Sequence, residues 1–215
     1  ELDTLKLGGL NRIENKIITY SGKALNVAIG VARLGGDSFA TGFMFNDNGK
    51  MFVHTLDDEN VKNTFVWNNG SARTNYKIVD KRAMMTEIND KGENVSQEKQ
   101  AELVSLVGEL SKSASVAVMS GSLPGGVDDD YYLKLMSAVP KTAKIILDTS
   151  GNKMIAGLRG GAYLIKPNLD ELQEMTGEHY DSFDEMITGC ERLIEAGAEN
   201  VMLSLGRKGA ILTDG

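Results

Sequence analysis

The chain has 215 residues, 41% of them hydrophobic, which suffices for one sizeable core or a core with a small appendage. A formal net charge of −7 and a pI near 5.0 argue against non-specific nucleic-acid binding, so an anionic metabolite would need a local basic pocket. The single cysteine, Cys190, excludes an intramolecular disulfide framework and reads as a small core residue. The two distant histidines, His54 and His179, offer no zinc site. No apolar run approaches 18 residues and no signal peptide is visible, so a cytoplasmic protein with no membrane partner is expected.

The first 95 residues mix one helix with polar-alternating strands. Residues 12–19 alternate and predict a strand. Residues 23–34 predict a helix with Leu25, Val27, Ala28, Val31 and Leu34 apolar. Residues 63–67, 74–79 and 84–88 predict further strands, with turn signals at Asn69-Gly70 and Lys81-Arg82. Alternation implies half-exposed antiparallel strands, which would form a small sheet standing off the main domain. Residues 97–110 predict an amphipathic helix leading into a different pattern. From residue 115 short apolar runs (115–119, 144–147, 163–165, 201–205) alternate with helical stretches (129–137, 169–175, 183–195). Such alternation predicts a parallel sheet covered by helices on both faces. The chain opens on Glu1 and stops at Leu212-Thr213-Asp214-Gly215, a turn signal with no following strand; both ends predict a piece of a longer protein.

Several segments could carry chemistry. In residues 165–172, Ile-Lys-Pro-Asn-Leu-Asp-Glu-Leu, an apolar strand runs into Lys166, Pro167 ends it, and Asn168 stands where a helix N-cap belongs. A charged corner between strand and helix is where open α/β sheets bind ligands, although it could be a plain connection. Ser21-Gly22-Lys23-Ala24-Leu25-Asn26 puts small residues and a lysine at a helix start, suited to an anion or merely a capped helix. The Ser/Thr after the lysine and the earlier glycine of a Walker A loop are missing. Ser120-Gly121-Ser122-Leu123-Pro124-Gly125-Gly126 follows a buried strand and could orient a sugar-like group, or simply turn the chain. Arg73, between a turn and a strand, is a bidentate phosphate ligand or a solvated charge. Residues 203–209, Leu-Ser-Leu-Gly-Arg-Lys-Gly, line a nucleotide pocket or turn a hairpin.

In this order these segments resemble the ribokinase-like carbohydrate kinases, and among them the phosphofructokinase B branch. Ala72-Arg73-Thr74-Asn75, Thr86-Glu87-Ile88-Asn89 and Leu147-Asp148-Thr149-Ser150-Gly151 complete the set, which runs through nearly the whole chain. The match looks most like the kinases of fructose 1-phosphate, with those of tagatose 6-phosphate next. The resemblance implies a Rossmann-like ribokinase fold: a central, mostly parallel sheet flanked by helices, with a small β-sheet lid. Residues 1–20 with 63–95 would form the lid, and 21–62 with 96–215 an α/β kinase domain lacking its carboxyl-terminal part. It implies ATP- and Mg²⁺-dependent phosphorylation of a phosphosugar hydroxyl, most simply fructose 1-phosphate to the 1,6-bisphosphate. Gly22, Lys23 and Asn26 would hold the substrate, Arg73 would clamp its phosphate, Ser122 would lie near the sugar, and Arg12 would reach a phosphate from the lid. Lys166, Asn168, Ser204 and Gly206 would face ATP, and Glu171 would help hold the hydrated Mg²⁺. A homodimer through the lid is implied as well.

Three departures qualify the likeness. The family reads Gly-Gly-Lys-Gly where this chain has Ser21-Gly22-Lys23-Ala24, so two side chains intrude beside the sugar. The family's amino-terminal strand, with its sugar-binding Asp, would precede Glu1. Its Gly-Ala-Gly-Asp segment, which carries the catalytic base, would follow Gly215, so no base is named. A kinase-fold protein that binds phosphosugars without turnover is the alternative.

Overall fold

The structure is a computed structural model describing residues 2–215. Helix α1 (Lys23–Arg33) turns Leu25, Ala28, Ile29 and Ala32, at helical spacing, onto a small core with Met44, Leu56 and Phe65. Strands β1 (Phe39–Ala40) and β2 (Phe43–Phe45), helix α2 (Gly49–Asp58), and strands β3 (Lys62–Asn63) and β4 (Val66–Asn68) form a crossover. In it β1 pairs with β3 and β2 with β4, both in parallel. Strands β5 (Asn75–Val79) and β6 (Met85–Asn89) form an antiparallel hairpin with Tyr76 opposite Ile88 and Ile78 opposite Thr86. Asp80 closes its turn, accepting from the backbone N–H groups of Arg82 and Met84 at 2.9 and 3.1 Å. The Arg82 guanidinium beside it holds the Asp80 carboxyl below the usual carboxylate range.

Helix α3 (Gln97–Leu110) begins at Ser96, whose hydroxyl accepts from the Lys99 N–H at 3.3 Å. Strand β7 (Val116–Ser120), helix α4 (Tyr131–Ala138), strand β8 (Lys144–Asp148), helix α5 (Asn152–Leu158) and strand β9 (Leu164–Ile165) follow. Helices α6 (Leu169–Thr176) and α7 (Phe183–Glu195) and strands β10 (Asn200–Ser204) and β11 (Ala210–Asp214) complete the chain. The sheet order is β11-β10-β9-β8-β7, with β7 to β10 parallel and β11 antiparallel to β10. Leu147, Met154, Ile165, Leu172, Val201 and Leu203 fill its core with essentially no exposure. The expected α/β class with a mostly parallel sheet and flanking helices is therefore present.

The lid expectation needs correcting. Residues 12–19 form no strand, and Ile13, Ile17 and Ile18 are exposed there. A strand needs a partner ladder, and the hairpin spends its outer edge on a single bridge, Leu2 to Asp80. Residues 63–67 do not join the hairpin either. They fall into β3 and β4 and pair in parallel with β1 and β2, where Phe65 and Val66 are buried. Alternation there reflected one buried face of a βαβ unit. Residues 212–214, expected as a turn, lie in β11 and pair with β10; the turn comes earlier, where the Leu205 N–H donates to the Gly209 carbonyl at 2.9 Å.

The five-stranded sheet ends at β7, whose Val116 and Val118 remain 44% and 37% exposed. They border an open cleft of about 1080 Å³ with α1 (Val27, Val31) and Phe39 on its far wall.

Candidate active site

Parallel strands bring their carboxyl ends to one edge, so Ser120 of β7, Asp148 of β8, Lys166 after β9 and Ser204 of β10 share it. Asp148 stands at the middle. Its side chain is 15% exposed, and its Oδ1 lies 3.7 Å from Lys23 Nζ and 3.5 Å from Lys166 Nζ. Its Oδ2 accepts from the Ser120 hydroxyl at 3.3 Å. Two ammonium groups from different elements thus converge on one carboxylate.

Lys23 is the first residue of α1. The N-cap, Gly22, is extended (φ −164°) and supplies no side-chain cap, so the first N–H groups of the helix stay open to an anion. Asn26 is exposed one turn on, its N–H bonded to the Gly22 carbonyl at 2.9 Å. On the other flank Asn168 caps α6: its side chain accepts from the Glu171 N–H at 2.8 Å, and Glu171 Oε2 accepts from the Asn168 N–H at 2.9 Å. Pro167, fully buried before the cap, offers its carbonyl to the Ser204 N–H at 2.9 Å and to the Ser204 hydroxyl at 3.3 Å. Lys166, Asn168 and Ser204 are thereby fixed together. Gly206 follows at φ +57°, with open space above its Cα.

Arg73 and Ser122 line the cleft together with Lys91. Arg73 is placed through its backbone neighbour: the Asn48 amide donates to the Ala72 carbonyl at 2.9 Å and accepts from its N–H at 2.8 Å. Gly92, at φ +76°, packs on Arg73; a Cβ there would sit 3.2 Å from Arg73 Cβ. The loop carrying Ser122 is tied down at the Gly121 carbonyl, which accepts from the hydroxyls of Tyr132 and Thr149, each at 3.0 Å. Burial raises the Tyr132 phenol above its ordinary pKa, with Asp148 adding to the shift, so it stays a neutral donor.

Of the residues singled out in the sequence, Lys23 and Lys166 meet at Asp148, and Asn168, Ser204 and Gly206 gather beside them. Arg73 and Ser122 share the cleft. Arg12 does not join either group; it lies exposed in the irregular segment and does not line the cleft. Asp148, Thr149, Tyr132 and Asn48 escaped the sequence reading as site residues. For Asp148 the available signal was an acid directly after the buried run 144–147. Among the described residues no three His, Cys, Asp or Glu side chains cluster as a metal site. Glu171 uses one carboxylate oxygen, Oε2, in the capping box. No helix among the described residues is long and apolar enough to cross a membrane.

The profile of the pfkB family carbohydrate kinases matches residues 4–215. A 1-phosphofructokinase of Borreliella burgdorferi is 32% identical over 96% of this chain and 66% of its own length. A D-tagatose-1-phosphate kinase of Bacillus licheniformis is 33% identical over 100% of this chain and 70% of its own. Among solved structures, phosphofructokinase-2 from Escherichia coli in complex with fructose-6-phosphate superposes with a TM-score of 0.89 at 28% identity, covering 99% of this chain and 71% of that one. The chain spans about two thirds of the length of the relatives it matches.

Proposed function

The chain belongs to the pfkB family of carbohydrate kinases, and from that we propose that the protein transfers the γ-phosphoryl group of ATP to the 6-hydroxyl of fructose 1-phosphate. The observation that carries the reading is the convergence of Lys23 and Lys166 at the carboxyl ends of β8 and β9, with Arg73 and Ser122 in the cleft that Ser120, bonded to Asp148, also lines. Phosphoryl transfer asks mainly for positioning and for cations against developing phosphate charge. In this reading the open N–H groups behind Gly22, with Lys23 and Asn26, hold the sugar. Arg73 takes the existing phosphate and Ser122 a hydroxyl. Lys166, Asn168, Ser204 and Gly206 face ATP. Glu171 would help hold a hydrated Mg²⁺, which would supply positive charge against that of the phosphates. The substrate O–P bond forms as the P–O bond to ADP breaks, and the hydroxyl proton passes to a base. Residues 1–215 contain no Gly-x-Gly-Asp, and the base is not assigned to any of them. The β5–β6 hairpin acts as the lid, two copies pair through it, and the protein works in the cytoplasm, where ATP is plentiful.

A second reading, tagatose 1-phosphate as acceptor, is favoured by the Bacillus licheniformis relative. A coupled ADP-release assay on the full-length protein distinguishes them across fructose 1-phosphate, tagatose 1-phosphate, tagatose 6-phosphate, fructose 6-phosphate and fructose. The highest kcat/KM is expected with fructose 1-phosphate. Preference for unphosphorylated fructose overturns the phosphosugar assignment, and tight binding without turnover marks a binding protein.

A further inference from the structure

We infer that Asp148 is a positioning residue, the shared counter-ion that sets Lys23 and Lys166 in register with each other; the inference rests on the kinase reading above. Three observations carry it. The carboxylate Oδ1 is buried and has no hydrogen-bond partner, yet two ammonium groups stand within 4 Å of it. Its other oxygen is fixed by the Ser120 hydroxyl of the neighbouring strand. Its backbone carbonyl accepts from the Gly121 N–H at 3.2 Å, so the Ser122 loop hangs from the same residue.

The lysines come from the first turn of α1 and from the end of β9, and Asp148 of β8 stands between them, within 4 Å of both ammonium groups. Placed so near one another, two positive charges repel, and the carboxylate between them relieves that repulsion. Both ligands of the proposed reaction are anions. A carboxylate facing them opposes their binding and competes for the lysines, so its value lies elsewhere. It holds both ammonium groups where the transferring phosphoryl group would need them, lowering the barrier at some cost in ground-state affinity.

The sign of that trade separates positioning from a plain structural role. In the full-length protein, Asp148→Asn is expected to lower kcat about ten-fold or more, as a small misplacement of catalytic groups does. The Kd values for fructose 1-phosphate and for ATP, each measured alone by calorimetry without divalent cation, are expected to stay equal or to tighten. In a Lys166→Met background the same substitution should cost much less, because its route to the reaction is already gone. Unchanged kcat, weakened binding of both ligands, or equal losses in both backgrounds overturns the inference. Should the Asn variant melt below the assay temperature, Asp148→Glu keeps the charge and displaces it by one methylene. A fall in kcat at unchanged Kd then supports the role and an unchanged kcat overturns it. Wild-type protein that binds neither ligand overturns the kinase reading itself, whereas active wild type with an equally active Asn variant removes only the role of Asp148.

Discussion

Arg73 shows how a functional side chain can be placed by its backbone. The Asn48 amide grips Ala72 from both sides, and Gly92 packs flush on the Arg73 Cβ. Arg73 lines the cleft, and Lys166 and Ser204 do not. Arg73→Ala should therefore weaken phosphosugar binding and leave ATP binding nearly unchanged. A hydrogen bond to a charged group contributes about 1.5–3 kcal/mol, so the loss in affinity should be about ten-fold or more. Calorimetry with each ligand checks this, and equal losses for both would point to a folding defect instead. At this scale the sequence was readable wherever local chemistry announced itself: a lysine at a helix start, a lysine before Pro167, an arginine between turn and strand. It was not readable where the partner is distant in the chain. Nothing near Asp148 says that Lys23 and Lys166 will share its oxygen, because that contact exists only once α1, β8 and β9 have packed. Arg12, assigned from the resemblance, lies exposed in an irregular segment and does not line the cleft of its own chain.

The start of α6 joins stability to the site. Asn168 satisfies the Glu171 N–H, Glu171 satisfies the Asn168 N–H, and the pair also fixes two groups proposed to face ATP and Mg²⁺. Replacing a capping Asn by Ala costs about 1 kcal/mol, which for a domain of this size is about 2–4 °C in Tm. Asn168→Ala should show that drop in a thermal melt, and Asn168→Ser, which keeps an oxygen for the Glu171 N–H, should recover most of it. An Ala variant with an unchanged Tm would mean that the cap is not a stabilising contact. Elements with a strong period were legible: α1, α3, α6 and α7, and the buried runs that became β7 to β10. Short elements were not. β1 to β4 are two or three residues long and carry too little pattern, so residues 63–67 looked like an alternating lid strand. α2 does carry an apolar stripe, Phe52, Val53 and Leu56, which packs on the small core, but Lys50, His54, Thr55, Asp57 and Asp58 around it left the pattern unread. α5 is seven residues and follows a glycine corner.

At the scale of the whole molecule, the hairpin is tied to the first residues of the chain by the Leu2–Asp80 bridge and by Lys81 to Asp3 and Glu14, with Leu5 and Leu7 beside Ile78 and Met84, yet much of its apolar face stays open. Its two five-residue strands place Tyr76, Ile78, Thr86 and Ile88 on one face, continued at the turn by Met84. Tyr76, Ile88 and Met84 are 57%, 55% and 59% exposed. A lone two-stranded hairpin is marginal in water, and an apolar face of this kind is stabilised by being covered. Folding it down onto the kinase body would close the cleft where Arg73 and Ser122 stand. A second hairpin offers the same apolar strip, and two identical faces can meet about a two-fold axis with every contact made twice. The full-length protein is therefore expected to scatter light as a dimer at about ten micromolar and above. Tyr76→Lys, which puts a charge on the shared face, should shift it to monomer, because an unpaired charge is costly to bury there. The same substitution should leave the kinase body folded, since Tyr76 packs on none of its core. Wild-type monomer at that concentration refutes pairing through the lid, and the hairpin would then have to cover its apolar face against the cleft of its own chain.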